Sequence, residues 1–326
     1  MELKNVRRTN AFFLGLILVY LATELFITVL SARDIELSLI SSLVLSQGIM
    51  LVPALLFIVI FRLDVRTWVP MRRLKASTLG FTLLFTLCIS PFVTWINILS
   101  QLFTTNIVAE LAEELLSSPP LPLLLIIGII GPFCEELTFR GVIFHGLKFS
   151  GRILASILIS GLFFGLMHMN LNQLSYAVIL GVAFAFLTEA TGSILPSFLV
   201  HVLVNSSNIG LEFLTDFIYS RFNIEGVDSL TEAIENTEIS RNEIFLAAGA
   251  YMIPALVGLA LSIVVFIAIC RREGSLEHIQ GLFQSKKERK DLPVLTVTGW
   301  IAIGICAVII TAMDLLMKLF SLFVAG

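Results

Sequence analysis

Long runs of apolar residues, separated by short polar stretches, follow one another along most of the chain. Nine of these runs have the roughly 17–30 residues that a helix needs to cross a bilayer. The pattern therefore predicts an all-α polytopic membrane protein with about nine transmembrane helices. The predicted spans are residues 10–30, 39–61, 78–100, 121–146, 151–169, 172–190, 193–212, 246–270 and 294–324.

Two polar segments between the runs are predicted to lie outside the bilayer. Residues 101–120 carry three glutamates and end at Pro119-Pro120, which is typical of a short amphipathic surface helix stopped by proline. Residues 213–245 are rich in Asp and Glu. They predict an acidic extracytoplasmic loop, partly helical, for which a plain solvated connector is the simpler interpretation.

The basic residues divide unequally between the two sides of the predicted bundle. If the N-terminus is cytoplasmic, nearly all of the 21 Lys and Arg residues fall on the cytoplasmic side. Arg33, Arg221 and Arg241 fall on the other side, and Lys318 lies near a helix end. Because cytoplasmic loops carry an excess of Lys and Arg, we predict a multi-pass cell-membrane protein with a cytoplasmic N-terminus and an extracytoplasmic C-terminus.

Composition agrees with a membrane location. Of 326 residues, 57% are hydrophobic and 14% are charged, and the mean hydropathy is +0.97, whereas a soluble domain has about 25% charged residues. A net charge of −3 gives no support to a nucleic-acid partner. The four cysteines are isolated, so neither a zinc ribbon nor a redox pair is expected.

Ionisable residues inside the predicted spans are candidates for function, because each costs about 2.5–3.5 kcal/mol on insertion scales. Glu135, Glu136 and Arg140 fall in the fourth span. Glu136 and Arg140 are four residues apart and can pair on one helix face. Glu135 lies about 100° round the helix, without a local partner, as a general base would. A buried ion network that holds helices together is the structural alternative.

Two further clusters carry imidazoles. Phe164 and His168 lie near the end of the fifth span, and His201 and Asn205 are four residues apart in the seventh. His201 and Asn205 face one way and can both donate hydrogen bonds towards one point. Taken alone, each cluster is more often explained by packing or by hydrogen bonds between helices than by a functional site. The chain has only four histidines, and two of them lie deep in predicted spans, with polar groups available on other helices. This joint pattern favours a shared site.

The order EExxxR, FxxxH and HxxxN on successive membrane helices resembles the CAAX protease and bacteriocin-processing family of intramembrane proteases, also called the Abi family. The resemblance covers about residues 121–210 and implies a four-helix catalytic core with endopeptidase activity. In this chain the three motifs read Glu135-Glu136…Arg140, Phe164…His168 and His201…Asn205.

The resemblance also implies roles for these residues. Glu135 would activate a water molecule with help from His168, and His201 and Asn205 would form the oxyanion hole. The residues implied to shape the site or contact substrate are Glu136, Arg140 and Phe164. The sequence contains no HExxH, GxSxG or CxxC motif that would supply another protease apparatus.

Metal use stays open on the sequence alone. Glu135, His168 and His201 could form a zinc triad, since Zn²⁺ accepts two histidines and a carboxylate, and the protein would then be a metalloprotease. Asn205 beside His201 suits an oxyanion hole better, so we favour a mechanism without a cofactor. His168 is also predicted nearer the outer surface than Glu135 and His201, unless the fifth helix is shifted.

We divide the chain into N-terminal helices with the amphipathic connector (1–120), a catalytic core (121–212), the acidic loop (213–245) and C-terminal helices (246–326). The expected partners are the lipid bilayer and a peptide or membrane-protein substrate, such as a prenylated CAAX protein, a pheromone or a bacteriocin peptide. Two other functions are compatible with the sequence. One is a non-catalytic bacteriocin-immunity or scaffold protein, and the other is a transporter.

Overall fold

The structure, a computed structural model, describes residues 2–104, 111–222, 240–284 and 292–325, and this part of the chain folds into helices alone. The all-α prediction is therefore confirmed. In chain order the helices are α1 (Glu2–Ser31), α2 (Leu39–Ile60), α3 (Val65–Trp68), α4 (Ala76–Ser100), α5 (Ala112–Ser117), α6 (Pro120–Lys148), α7 (Ile153–Leu166), α8 (Leu171–Thr191), α9 (Leu195–Phe222), α10 (Arg241–Glu273), α11 (Leu276–Gly281) and α12 (Val297–Ala325).

Seven helices in the described ranges are long and apolar enough to cross a membrane, namely α1, α2, α4, α6, α8, α10 and α12 as far as Leu319. All nine predicted spans are helical, but α7 and α9 are not among the helices that are long and apolar enough to cross a membrane. α7 has 14 residues, because the chain turns at Gly151 and again at Met169, both with positive φ. α9 continues ten residues past the predicted end and carries a polar stretch from Asn205 to Asn208.

The two predicted surface segments are described in part. α5 lies within residues 101–120 and ends just before Pro119, as predicted, while residues 105–110 with Glu110 lie outside the described ranges. Residues 213–222 of the predicted acidic loop continue helix α9, and residues 223–239 lie outside the described ranges.

The basic loops meet at one end of the bundle. Lys75 Nζ donates a hydrogen bond to the backbone oxygen of Arg272 at 2.8 Å, and Ser193 Oγ donates to the backbone oxygen of Arg72 at 3.1 Å. The loops that follow α2, α8 and α10 are therefore neighbours. This arrangement agrees with the grouping of basic residues on which the predicted orientation rests.

Glycines bring α7 and α8 into close backbone contact. A Cβ atom on Gly161 would lie 2.5 Å from Val182 Cγ2 and 2.8 Å from the Val182 backbone nitrogen. A Cβ atom on Gly181 would lie 2.9 Å from the Cα of Gly161. Gly161 and Gly165 have the four-residue spacing that lets membrane helices approach closely. The close approach holds the backbone of Gly181 near the centre of the bundle.

Gly161→Ala is expected to lower the free energy of unfolding by about 1–3 kcal/mol, because the Val182 backbone cannot easily move away from an added methyl group. Thermal unfolding of the detergent-solubilised protein measures the effect. Gly80→Ala in α4 is the matched control, since no atom lies within 4 Å of its Cβ position. An equal loss in both variants would show that close packing at Gly161 is not the cause.

Candidate active site

The helix that carries the glutamate pair changes its winding on both sides of the pair. Within α6, Ile126–Ile130 and Leu137–Phe144 are π-helical, and the α-helical turn Gly131–Glu136 lies between them. π segments are rare and occur often at functional sites, where the wider turn redirects side chains. The position of Glu135 and Glu136 between two such segments was not predicted from the sequence.

Pro132 gives a physical reason for the first π segment. Proline has no backbone N–H, so the carbonyl oxygen four residues earlier, that of Gly128, loses its usual helical donor. Helix α9 supplies side-chain donors at this point: Asn205 Nδ2 bonds the Ile127 oxygen at 3.2 Å, and Ser206 Oγ bonds the Gly128 oxygen at 3.4 Å. Backbone oxygens of α6 just before Pro132 thus accept hydrogen bonds from Asn205, the last residue of the HxxxN motif, and from Ser206.

A buried ion network joins α6 to α9. Glu136 Oε1 lies 3.1 Å from an Arg140 guanidinium nitrogen and 3.2 Å from His201 Nδ1. Glu136 and Arg140 are almost completely buried, at 1% and 0% exposure. The predicted pair between Glu136 and Arg140 is confirmed, and its contact with His201 fixes how the two helices are rotated against each other.

Arg140 is enclosed by groups that suit a cation. Its guanidinium carbon lies 4.5 Å from the centre of the Phe164 ring and 5.0 Å from that of Phe184. A guanidinium nitrogen donates to the backbone oxygen of Gly181 at 3.1 Å. Aromatic faces and a carbonyl oxygen replace part of the water that the cation loses, and its Nε has no hydrogen-bond partner among the described residues. The FxxxH phenylalanine therefore packs against the arginine of the first motif.

Glu135 has a different environment from its neighbour. Its Oε2 lies 3.7 Å from His201 Nε2, and its side chain is 19% exposed. A separation of 3.7 Å exceeds a hydrogen bond, but catalytic contacts in unliganded enzymes are often long and shorten with substrate. His201 thus faces one glutamate with each ring nitrogen, and Glu135 is the carboxylate that a water molecule or substrate can reach.

His168 lies beyond the end of α7 and turns back onto the core. Its Nδ1 is 3.0 Å from the backbone oxygen of Phe164, which assigns the proton to Nδ1 and leaves Nε2 as the acceptor. The edge-to-face contact between the His168 and Phe164 rings has centroids 5.2 Å apart, and Phe164 contacts His201 similarly at 5.7 Å. Phe164 therefore connects the two imidazoles. Within the described ranges, His168 makes no ion pair with either glutamate.

The alternative zinc triad is not assembled in this structure. Among the described residues, no group of three or more His, Cys, Asp or Glu side chains is arranged to hold a metal ion.

Helix α8 contributes residues to the site that the sequence reasoning missed. Phe184 packs against His201 with ring centres 5.1 Å apart. Tyr176, also on α8, lies in the vicinity of Glu135 and of Gln173. Gln173 in turn accepts a hydrogen bond from Asn170 Nδ2 at 2.7 Å. Tyr176 is one of only four tyrosines, and its place in an apolar span was an available signal.

Comparison with known proteins identifies the same part of the chain. Residues 117–207 match the family described as "Type II CAAX prenyl endopeptidase Rce1-like". Over 86 residues the chain is 35% identical to a Bacillus subtilis (strain 168) protein named "Putative membrane peptidase YdiL". This match covers 26% of the chain and 35% of the relative's length. No solved structure matches the chain significantly.

The matched segment contains α6, α7, α8 and the first half of α9, and it includes all three motifs. The helices outside it, among them α1, α2, α10 and α12, supply most of the remaining membrane-crossing length. The chain is therefore a multi-pass membrane protein whose residues 117–207, the matched segment, are similar to the CAAX prenyl endopeptidase family.

Proposed function

We propose that the protein is an intramembrane endopeptidase that hydrolyses a peptide bond with a water molecule activated by Glu135. The observation that carries the proposal is the contrast between two adjacent glutamates around one imidazole. Glu136 is buried and paired with Arg140, whereas Glu135 is partly exposed and faces His201 Nε2. Two carboxylates in unlike environments are typical of a site in which one orients the catalytic group and the other exchanges protons.

In this mechanism, Glu135 accepts a proton from water as the oxygen attacks the carbonyl carbon, and later returns it to the leaving amine. His168 assists by accepting a hydrogen bond from that water at Nε2. The partly exposed position of Glu135 supports its role as the base.

His201 and Asn205 would stabilise the oxyanion of the tetrahedral intermediate. When both His201 nitrogens carry protons, Nδ1 donates to Glu136 and Nε2 is available to the oxyanion. The charges of two glutamates, one arginine and one imidazolium then cancel within the buried cluster. Asn205 binds the Ile127 oxygen with one N–H and keeps a second N–H for the substrate.

Glu135→Gln is expected to reduce peptide cleavage by a factor of about 10³, because the amide cannot accept the proton of the attacking water. The assay uses purified protein in detergent with a panel of fluorogenic peptides that includes prenylated and unprenylated sequences. Cleavage is expected to persist in a chelator, since the proposed mechanism uses no metal.

Glu24→Gln is the matched control, since Glu24 is a carboxylate on membrane helix α1 outside the matched segment. It is expected to retain normal cleavage. Full cleavage by Glu135→Gln would refute the proposed base. A normal biological phenotype in Glu135→Gln cells would favour the immunity or scaffold alternative, and substrate-dependent flux in reconstituted vesicles would favour a transporter.

Asn205→Ala is expected to lower kcat about 10²-fold or more, because loss of one oxyanion donor costs about 2.7–4 kcal/mol in comparable sites. Ser206→Ala is the matched control, since it removes the neighbouring side-chain bond between α9 and the same π segment. Ser206→Ala is expected to change kcat less than threefold. Similar losses of kcat in both variants would mean that Asn205 acts by holding α9 against α6 and not by donating to the oxyanion.

The orientation of the chain is also part of the proposal. The meeting of the basic loops at one end of the bundle supports a cytoplasmic N-terminus and an extracytoplasmic C-terminus. A C-terminal alkaline phosphatase fusion in bacterial cells is expected to be active, and a C-terminal green fluorescent protein fusion is expected to be dark. An inactive phosphatase fusion together with a fluorescent green fluorescent protein fusion would show that the C-terminus is cytoplasmic.

A further inference from the structure

A groove of about 890 Å³ opens beside α2, α3 and α6, at the end of the bundle that carries the basic loops. Several apolar residues at its edge point away from the protein: Val59 is 70% exposed, Met71 50% and Leu55 45%. In a membrane, such surfaces face lipid. The principal apolar residues that line the groove are Leu55, Ile58, Val59, Val69, Met71 and Leu137.

Two arginines, Arg66 and Arg72, line the same groove and are exposed. Neither forms an ion pair within the described ranges of the chain. Asp64 is the acidic residue of this loop, and its carboxylate accepts hydrogen bonds from the Arg66 backbone nitrogen and the Thr67 hydroxyl as the cap of α3. The hydrogen bond from Thr67 lowers the pKa of Asp64. Five basic residues nevertheless outnumber this one acid between α2 and α4.

We propose that this groove binds an anionic phospholipid, with the phosphate between Arg66 and Arg72 and an acyl chain against Val59 and Leu137. Guanidinium groups match phosphate oxygens geometrically. Basic clusters beside membrane helices attract anionic lipids, and the apolar walls supply the contact for the tail. The combination of an open apolar groove with two guanidiniums suits a bilayer lipid better than a polar ligand.

The proposed lipid site is connected to the matched segment, residues 117–207. The backbone oxygen of Pro70 accepts a hydrogen bond from the Ile194 nitrogen at 2.9 Å, and that of Arg72 accepts one from Ser193 Oγ. Ser193 and Ile194 immediately precede α9, which carries His201. A lipid that holds the 69–72 loop in place would therefore stabilise the start of α9. The proposal does not depend on proteolysis, because its test measures binding.

The test titrates the purified full chain in detergent with phosphatidylglycerol or phosphatidylcholine and measures lipid-bound protein by native mass spectrometry. The wild type is expected to bind phosphatidylglycerol about tenfold more tightly than phosphatidylcholine. R66Q/R72Q is expected to lose this preference. R62Q/R73Q removes equal charge from the same loop at positions that do not line the groove, and it is expected to keep the preference.

Val59→Trp tests the apolar half of the groove with all charges retained, and it is expected to weaken phosphatidylglycerol binding at least threefold. A wild type without lipid preference would overturn the proposal. Equal losses of the lipid preference in R66Q/R72Q and R62Q/R73Q would also overturn it, because they would mean a diffuse charge effect. Unchanged phosphatidylglycerol binding in Val59→Trp would overturn it as well. Thermal unfolding without lipid confirms that every variant remains folded.

Discussion

The contact of Glu136 with Arg140 and His201 is the interaction on which the rest of the core depends. Removing one partner of a buried ion pair typically costs about 3–5 kcal/mol, because the remaining charge has no water around it. The network spans two helices, so it restricts the rotation of α9 against α6. In the orientation that results, His201 Nε2 lies near Glu135. A structural ion network therefore sets the geometry of the candidate catalytic pair.

The buried cation in turn depends on two other helices. Phe164 on α7 and Phe184 on α8 cover Arg140, and the Gly181 carbonyl accepts a hydrogen bond from its guanidinium. This carbonyl is within reach because α7 and α8 pack closely at Gly161. The interpretations of Glu136 and Arg140 as structural and as part of the site are thus compatible. The residues stabilise the bundle and orient the imidazole at the same time.

The matched segment, residues 117–207, is attached to the surrounding helices at its basic end and along α6. Thr138 on α6 donates a hydrogen bond to the backbone oxygen of Met50 on α2 at 3.1 Å. The loop after α2 is bonded to Ser193 and Ile194 at the start of α9. Changes at the membrane surface near α3 can therefore reach α9 through a few backbone contacts. The proposed lipid site lies on this route.

Hydropathy predicted where the apolar helices lie, because a segment must be about 20 residues long and apolar to cross a bilayer. The same local reasoning predicted the pair of Glu136 and Arg140, since four residues make about one helical turn. It was less successful at α7, where positive φ values at Gly151 and Met169 shorten the helix. His168 consequently lies beyond the helix end, although the sequence placed it inside a span.

The sequence by itself determined the helical membrane fold, the adjacent glutamates and the spacing of the three motifs. Only the tertiary structure decided that Glu135 and Glu136 face opposite nitrogens of His201, that Asn205 binds a carbonyl in the π segment before Pro132, and that Phe184 packs against His201. The physical reason is that backbone geometry fixes relations along one helix. Distances between helices depend on how side chains from distant parts of the chain pack together.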